Sequence, residues 1–164
     1  MTIEALNAMS AKEFTDTLGG VYEHSPWVAE RIWKSRPFES LDDLARKMSA
    51  VVDAASQNDQ MTLLRAHPEL GTRLRVSTTS AAEQAGAGLD QLTEGEYDTL
   101  LEMNNAYSAK FGFPFIYAVR GSGTQDILIA LGLRLDEDAE TEFRQALWEV
   151  SRIARFRLEG IVGG

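Results

Sequence analysis

The chain has 164 residues, a formal net charge of −9, 44% hydrophobic and 25% charged residues, and no cysteine. That length suffices to withdraw roughly 70% of the unfolded surface from water in one domain over residues 1–164. The acidic balance argues against general nucleic-acid binding and disfavours an anionic membrane surface, since both need cationic faces. Without thiols there are no cysteine nucleophiles, disulfides or thiolate metal sites, as suits a reducing cytosol. No signal-peptide pattern opens the chain, no apolar run is long enough to cross a bilayer, and Ile161-Val162-Gly163-Gly164 is not a peroxisomal signal. The expected compartment is the cytoplasm, and an anionic substrate would need a local arginine to overcome the overall field.

In chain order, Ser10 with Glu13 has capping-box spacing, and Gly19-Gly20 ends that short helix. Ser25-Pro26 starts another, with Trp27, Ile32 and Trp33 as its apolar bulk. Ser40 with Asp43 opens a longer helix in which Leu41, Leu44, Met48, Val51, Val52 and Ala55 recur at helical spacing. A fourth covers Asp59 to Ala66 and ends at His67-Pro68, because proline biases the preceding residue away from helical dihedrals. Ser80 followed by Glu83 has the spacing of a further helix start.

Thr93 with Glu96 caps a strong helix carrying Leu100, Leu101, Asn104, Tyr107 and Phe111, closed by Gly112. The run FPFIYAVRG, residues 113 to 121, is apolar without helical polarity and reads either as a short buried strand or as an extended segment. Helix returns over Thr124 to Leu133. The last helix, Asp136 to Gly160, begins with an acidic turn and ends with arginines, as the helix dipole favours. The expected fold class is all-α: a single-domain multi-helix bundle with one short extended segment near 113–119.

Three features invite chemistry, each with a plainer alternative. His67, one of two histidines, is fixed at a helix end by Pro68, and histidine is the residue type whose ordinary pKa lies near neutrality, although a histidine there also serves as a cap. A carboxylate at the start of the next helix, Glu83, could share a pocket with it; Ser80 with Glu83 is equally what a cap alone requires. The small residues of AGAGL, 85 to 89, allow close approach of a backbone or ligand, or close helix packing. Arg157 falls within roughly 40° of the centre of the stripe Phe143, Leu147, Val150, Ala154, Leu158, Ile161. A guanidinium there must find an acceptor, so an internal ion pair, snorkelling to solvent and a bound anion are its three readings. His24, between Glu23 and Ser25, reads as structural.

Metal and cofactor signals are weak. Two distant histidines and no cysteine match no zinc spacing, no acidic run matches a calcium loop, and GSG at 121–123 is too short for a phosphate loop. No metal and no cofactor are expected.

Four blocks together resemble one family: RAHPELG (65–71), SAAEQAGAGL (80–89), NNAYSAKFGFPFIYAVRG (104–121) and RIARFRLEGIV (152–162). The family is 2-oxo-4-hydroxy-4-carboxy-5-ureidoimidazoline (OHCU) decarboxylase, of the urate-to-allantoin pathway. The blocks occur in family order and span nearly the whole chain. The resemblance implies an all-helical, cofactor-free, generally homodimeric enzyme. By the same resemblance His67 is the catalytic proton donor and Glu83 its acidic partner. Ser80 and Gln84, with Ala81 and Ala82 between them, match the substrate-binding segment. Pro68 matches a pocket wall, and Phe115, Ile116, Tyr117, Ala118 and Val119 match a wall whose backbone contacts the ligand. Arg157 matches a substrate-binding arginine. Two rival readings remain: a helical ureide-binding or protein-interaction module without catalysis, and a related lyase acting on another ureide or purine-derived ring.

Overall fold

The computed structural model describes residues 1–71 and 78–162. These form nine α-helices and one 3-10 turn, with no strand among the described residues, so the chain is all-α as expected. It divides into two compact units. The first takes Met1–Ala66 and the chain from Val150 onward, and the second runs from His67 to Glu149.

The first unit starts with α1 (Ile3–Asn7) and α2 (Ala11–Leu18). Ser10 Oγ accepts from Glu13 N at 3.2 Å while the Glu13 carboxylate accepts from Ser10 N at 2.9 Å, the reciprocal box that its spacing predicts. Helix α3 (Trp27–Ile32) runs into a 3-10 turn at Trp33–Ser35 and packs on α2 and α4 (Leu41–Ala54). Its buried face is Val28, Ala29 and Ile32. Trp27 and Trp33 instead lie half-exposed, each covered by a guanidinium: Arg31 stands 4.4 Å from the Trp27 ring centre and Arg36 4.0 Å from that of Trp33. Ser40 Oγ caps α4 by accepting from Asp43 N at 3.0 Å. Helix α5 (Gln57–Arg65) begins two residues earlier than the pattern suggests, because Ser56 Oγ accepts from Asp59 N at 3.1 Å and makes Ser56 the cap. Leu6, Phe14, Leu18, Ile32, Leu44, Met48, Val52, Leu63 and Leu64 are fully buried. Each such side chain contributes roughly 1.5–3 kcal/mol relative to exposure.

The second unit holds α6 (Thr78–Gly86), α7 (Glu94–Phe111), α8 (Thr124–Leu135) and the first part of α9 (Ala139–Ile161). Helix α6 begins at Thr78, so Ser80 lies in its first turn and is not the N-cap that its spacing with Glu83 suggests. Its end explains the small residues that follow: Gly88 has φ +81° and Leu89 N returns to Gln84 O at 3.0 Å, a helix stop that a side chain at 88 would strain. A Cβ on Gly86 would meet nothing within 4 Å, so no backbone crowds that position. Helix α9 starts at Ala139, three residues later than expected. Asp136 caps the end of α8, while the Asp138 carboxylate caps α9 by accepting from Thr141 N at 2.8 Å. Its first turn is acidic through Glu140 and Glu142, but its last turn carries no basic residue, so the expected arginine ending does not hold.

Candidate active site

The stretch 113–119 is held in this unit without a strand. Gly112 closes α7 in the left-handed region, and Pro114 biases Phe113 toward extended backbone. Phe113 and Phe115 then turn inward onto Tyr107, with ring centres 5.9 and 5.5 Å away. An extended segment without a partner strand leaves backbone groups that burial penalises. Side chains satisfy two of them: Arg134 Nη1 donates to Ile116 O at 2.5 Å, and Ala118 N donates to the Glu149 carboxylate at 2.9 Å. Residues 114–119 carry no regular secondary structure, so of the two readings of this sequence the strand does not hold. Phe115, Ile116, Ala118 and Val119 are buried, and half-buried Tyr117 stacks on Phe115 and shares a hydrogen bond with Ser122 Oγ at 3.1 Å.

Arg134 is itself buried and held from behind. Its Nε donates to Glu142 Oε1, which also accepts from Tyr107 Oη at 2.5 Å. Glu142 is 0% exposed, so this pairing keeps a carboxylate in the interior. Burial, with that carboxylate, pushes the Tyr107 phenol far above its usual range.

His67 follows directly on Ala66, the C-cap of α5, and is 7% exposed. Pro68 beside it is half-buried. The next three residues are each tied down within the second unit. Ser108 Oγ donates to the Glu69 carboxylate at 3.0 Å, Asn104 Nδ2 donates to Leu70 O at 2.9 Å, and Gly71 N donates to Gln84 Oε1 at 2.9 Å. Gly71 has φ +72°, and a Cβ there would lie 2.4 Å from Leu100 Cδ2, so only glycine fits. On α6, Ser80 and Gln84 are buried one turn apart and Glu83 is half-buried beside them, whereas Ala81 and Ala82 are exposed. The Gln84–Gly71 bond therefore ties the α6 block to the turn that follows His67. Residues 72–77, including the remainder of the polar stretch between them, lie outside the described residues.

Arg157 belongs to the first unit, where it is buried and takes the internal ion pair among its three readings. Its Nη2 donates to Glu23 Oε2 at 2.8 Å, while Nη1 makes longer bonds of 3.3 and 3.4 Å to Val21 O and Gly20 O. Glu23 is buried, and the next residue, His24, sits at φ +48°, an uncommon conformation for a side-chain-bearing residue. His24 itself is largely exposed, with Nε2 3.6 Å from Glu23 Oε1.

Sequence reasoning passed over Asn104 as a polar contact, Glu23 as more than a neighbour of His24, and Ser108, Arg134, Glu142 and Glu149 altogether. The signal for several was present. Arg134 shares the stripe of Ile127 and Leu131, and Glu142 and Glu149 share that of Ala146, the same criterion that singles out Arg157. Among the described residues no three histidine, aspartate or glutamate side chains gather to hold a metal ion, and no helix is long and apolar enough to cross a membrane.

Comparison with known proteins bears on all of this. The family model described as OHCU decarboxylase matches residues 7–159. The chain is 46% identical over 158 residues to the 2-oxo-4-hydroxy-4-carboxy-5-ureidoimidazoline decarboxylase of Haloferax volcanii, covering 96% of this chain and 94% of that protein. It is 50% identical over 161 residues to the uric acid degradation bifunctional protein PucL of Bacillus subtilis, covering 98% of this chain but only 33% of PucL. The chain thus spans about a third of the bifunctional relatives it matches. A crystal structure of (S)-allantoin synthase superposes with a TM-score of 0.82 at 34% identity, covering 99% of this chain and 54% of that one. With a family match running through both units and a near full-length relative at this identity, the chain belongs to the OHCU decarboxylase family.

Proposed function

We propose that this chain catalyses cofactor-independent decarboxylation of OHCU to (S)-allantoin. The observation that carries the reading is the match to the Haloferax volcanii decarboxylase over nearly the whole of both proteins. The chemistry asked of the protein is modest. In OHCU the departing carboxylate and a hydroxyl share one ring carbon, next to a carbon–nitrogen double bond. When the bond to the carboxylate breaks, its electron pair forms a carbon–carbon double bond, and the former double-bond nitrogen takes up a proton. The resulting enol gives up its hydroxyl proton and gains one on the carbon bearing the ureido group, which yields allantoin. The substrate is its own electron sink, so the protein has to orient the carboxylate, steady the developing charge and deliver a proton to one face.

In this scheme His67 is the general acid/base, held at the end of α5 with its imidazole largely withdrawn from solvent. Glu83 orients the imidazole or the ureido N–H groups. Ser80 and Gln84 hydrogen-bond the substrate, and Ala81 and Ala82, being exposed, contribute through the helix backbone alone. Pro68 and the 115–119 segment form walls, and Arg157 counters an anionic group. The whole of 1–164 acts as one OHCU decarboxylase domain, as a homodimer in the cytoplasm.

The test is chiral detection of allantoin from freshly generated OHCU. Wild type is expected to give the S enantiomer above the spontaneous background. His67→Ala, with unchanged circular dichroism, is expected to lose about 10²- to 10⁴-fold in rate. Near-normal turnover by a folded His67→Ala variant would end the assignment of that residue. Absence of enantiomeric excess from wild type would end the assignment of the reaction and favour a non-catalytic module.

A further inference from the structure

We propose that Asn104 is a positioning residue for His67, acting through the peptide group between Leu70 and Gly71. That peptide is gripped from both sides: its carbonyl accepts from Asn104 Nδ2 and its N–H donates to Gln84 Oε1, each at 2.9 Å. A trans peptide directs these two groups oppositely, so neither the peptide nor either amide can flip alone without losing a bond. Both side chains are interior, Asn104 at 2% exposure and Gln84 at 8%. Each holds one atom, Asn104 Oδ1 and Gln84 Nε2, with no hydrogen-bond partner among the described residues.

An amide at 104 is a poor choice for packing alone. The position lies on the α7 stripe with Leu100, Tyr107 and Phe111, all buried, where an aliphatic side chain would leave no polar atom unsatisfied. What the amide supplies is a donor at a fixed height above Leu70 O. One turn further along the same face, Ser108 Oγ supplies a second donor, to Glu69. Between these anchors and His67 stands only Pro68, whose ring fixes φ. On the other side, His67 follows directly on the last turn of α5. The imidazole is thus carried by a short piece of chain that α7 pins on its C-terminal side. A displacement of about 1 Å in a group that transfers a proton costs up to about 10²-fold in rate.

The proposal rests on His67 being the acid/base of the decarboxylation, so its test reads both activity and the imidazole itself. The chain has two histidines, and His24, in the other unit, is an internal control. In Asn104→Leu, which removes both polar atoms while suiting the stripe, kcat is expected to fall about 10- to 100-fold with KM within about twofold. The imidazole 1H–15N signals and titration of His67 are expected to move while those of His24 stay. Full kcat with an unmoved His67 overturns the proposal, and so does a rise in KM alone. If Asn104→Leu does not fold, Asn104→Asp, which keeps the size but replaces the amide donor to Leu70 O by a carboxyl oxygen, is read in the same way; full kcat with His67 unmoved again overturns the proposal. Wild type that makes no allantoin sinks the decarboxylase reading only, because the histidine signals still report whether Asn104 holds His67.

Discussion

Two buried arginines, Arg134 in the second unit and Arg157 in the first, solve the same problem in different ways. Each lies on the apolar side of its helix, and each faces a carboxylate buried to 2% exposure or less. Arg134 is fully engaged: Nε meets Glu142, Nη1 meets Ile116 O, Nη2 lies 3.4 Å from Tyr107 Oη, and the guanidinium stands 4.6 Å from the Phe115 ring centre. Arg157 Nη2 donates to Glu23 at 2.8 Å, and Nη1 donates to Val21 O and Gly20 O at 3.3 and 3.4 Å. The first arginine is saturated by its surroundings and fixes a stretch of backbone. The second ties α9 to the chain at 20–23 through a carboxylate and two carbonyls. Burial and ion pairing alone do not tell a scaffold arginine from one that can serve a ligand; substitution at each separates the two roles.

The largest effect is expected from breaking the saturated arginine. Arg134→Met strands the Glu142 carboxylate in the interior with only the Tyr107 hydroxyl, which costs about 3–5 kcal/mol. Denaturant unfolding should show that loss directly. Replacing both partners, as Arg134→Met with Glu142→Leu, removes the stranded charge and should recover much of the stability. Activity should stay low in the double variant, since Ile116 O has still lost its donor and the 113–119 segment its anchor. Full activity in that variant would mean that Arg134 serves stability alone.

A smaller loss is expected from Tyr107→Phe, because Glu142 keeps its arginine and loses one hydrogen bond to a charged group, worth about 1.5–3 kcal/mol. This variant also changes the alkaline behaviour. The phenol's folded-state pKa is raised by burial and by Glu142, so its share of stability is complete below the ordinary phenol range near 10 and is lost as pH rises beyond it. Tyr22, in the first unit, behaves alike, its pKa pushed up to about 12 by burial. Wild-type stability should therefore fall above about pH 10, where unfolded tyrosines ionise. Tyr107→Phe should fall less steeply, retaining the slope due to Tyr22. Equal slopes would show that Tyr107 ionises as readily folded as unfolded.

The contrast between the arginines also marks what the sequence can and cannot disclose. Capping is local, so Ser10, Ser40 and Thr93 announce their helices through residues three positions away, and all three caps are formed. Helical periodicity is local too, and it exposes Arg157 as a charge on an apolar stripe. It exposes Arg134 equally, yet what that arginine does depends on Ile116, Tyr107 and Glu142, and no spacing rule reaches from one to the others. The misplacement of the α6 start has a related cause: Ser80 with Glu83 satisfies the capping rule, but the helix begins at Thr78 and uses Ser80 as a buried side chain. Asn104 was legible as a member of a helix and illegible as the holder of Leu70 O, 34 residues earlier.

The smallest effect is expected at Arg157, and its form matters more than its size. Arg157→Lys keeps a positive charge beside Glu23, so the buried carboxylate retains a counter-ion and stability should change little. What is lost is the planar fork and its bidentate geometry. Lysine brings a single ammonium, and pairing with Glu23 occupies the charge that an anionic substrate would need. The Michaelis constant for OHCU should then rise about tenfold, near 1.4 kcal/mol, with kcat less affected. The converse pattern, unchanged Michaelis behaviour with a large loss of stability, would place Arg157 beside Arg134 as scaffold. In that case both buried guanidiniums hold backbone and carboxylate in place, and the two arginines differ only in what they pack against.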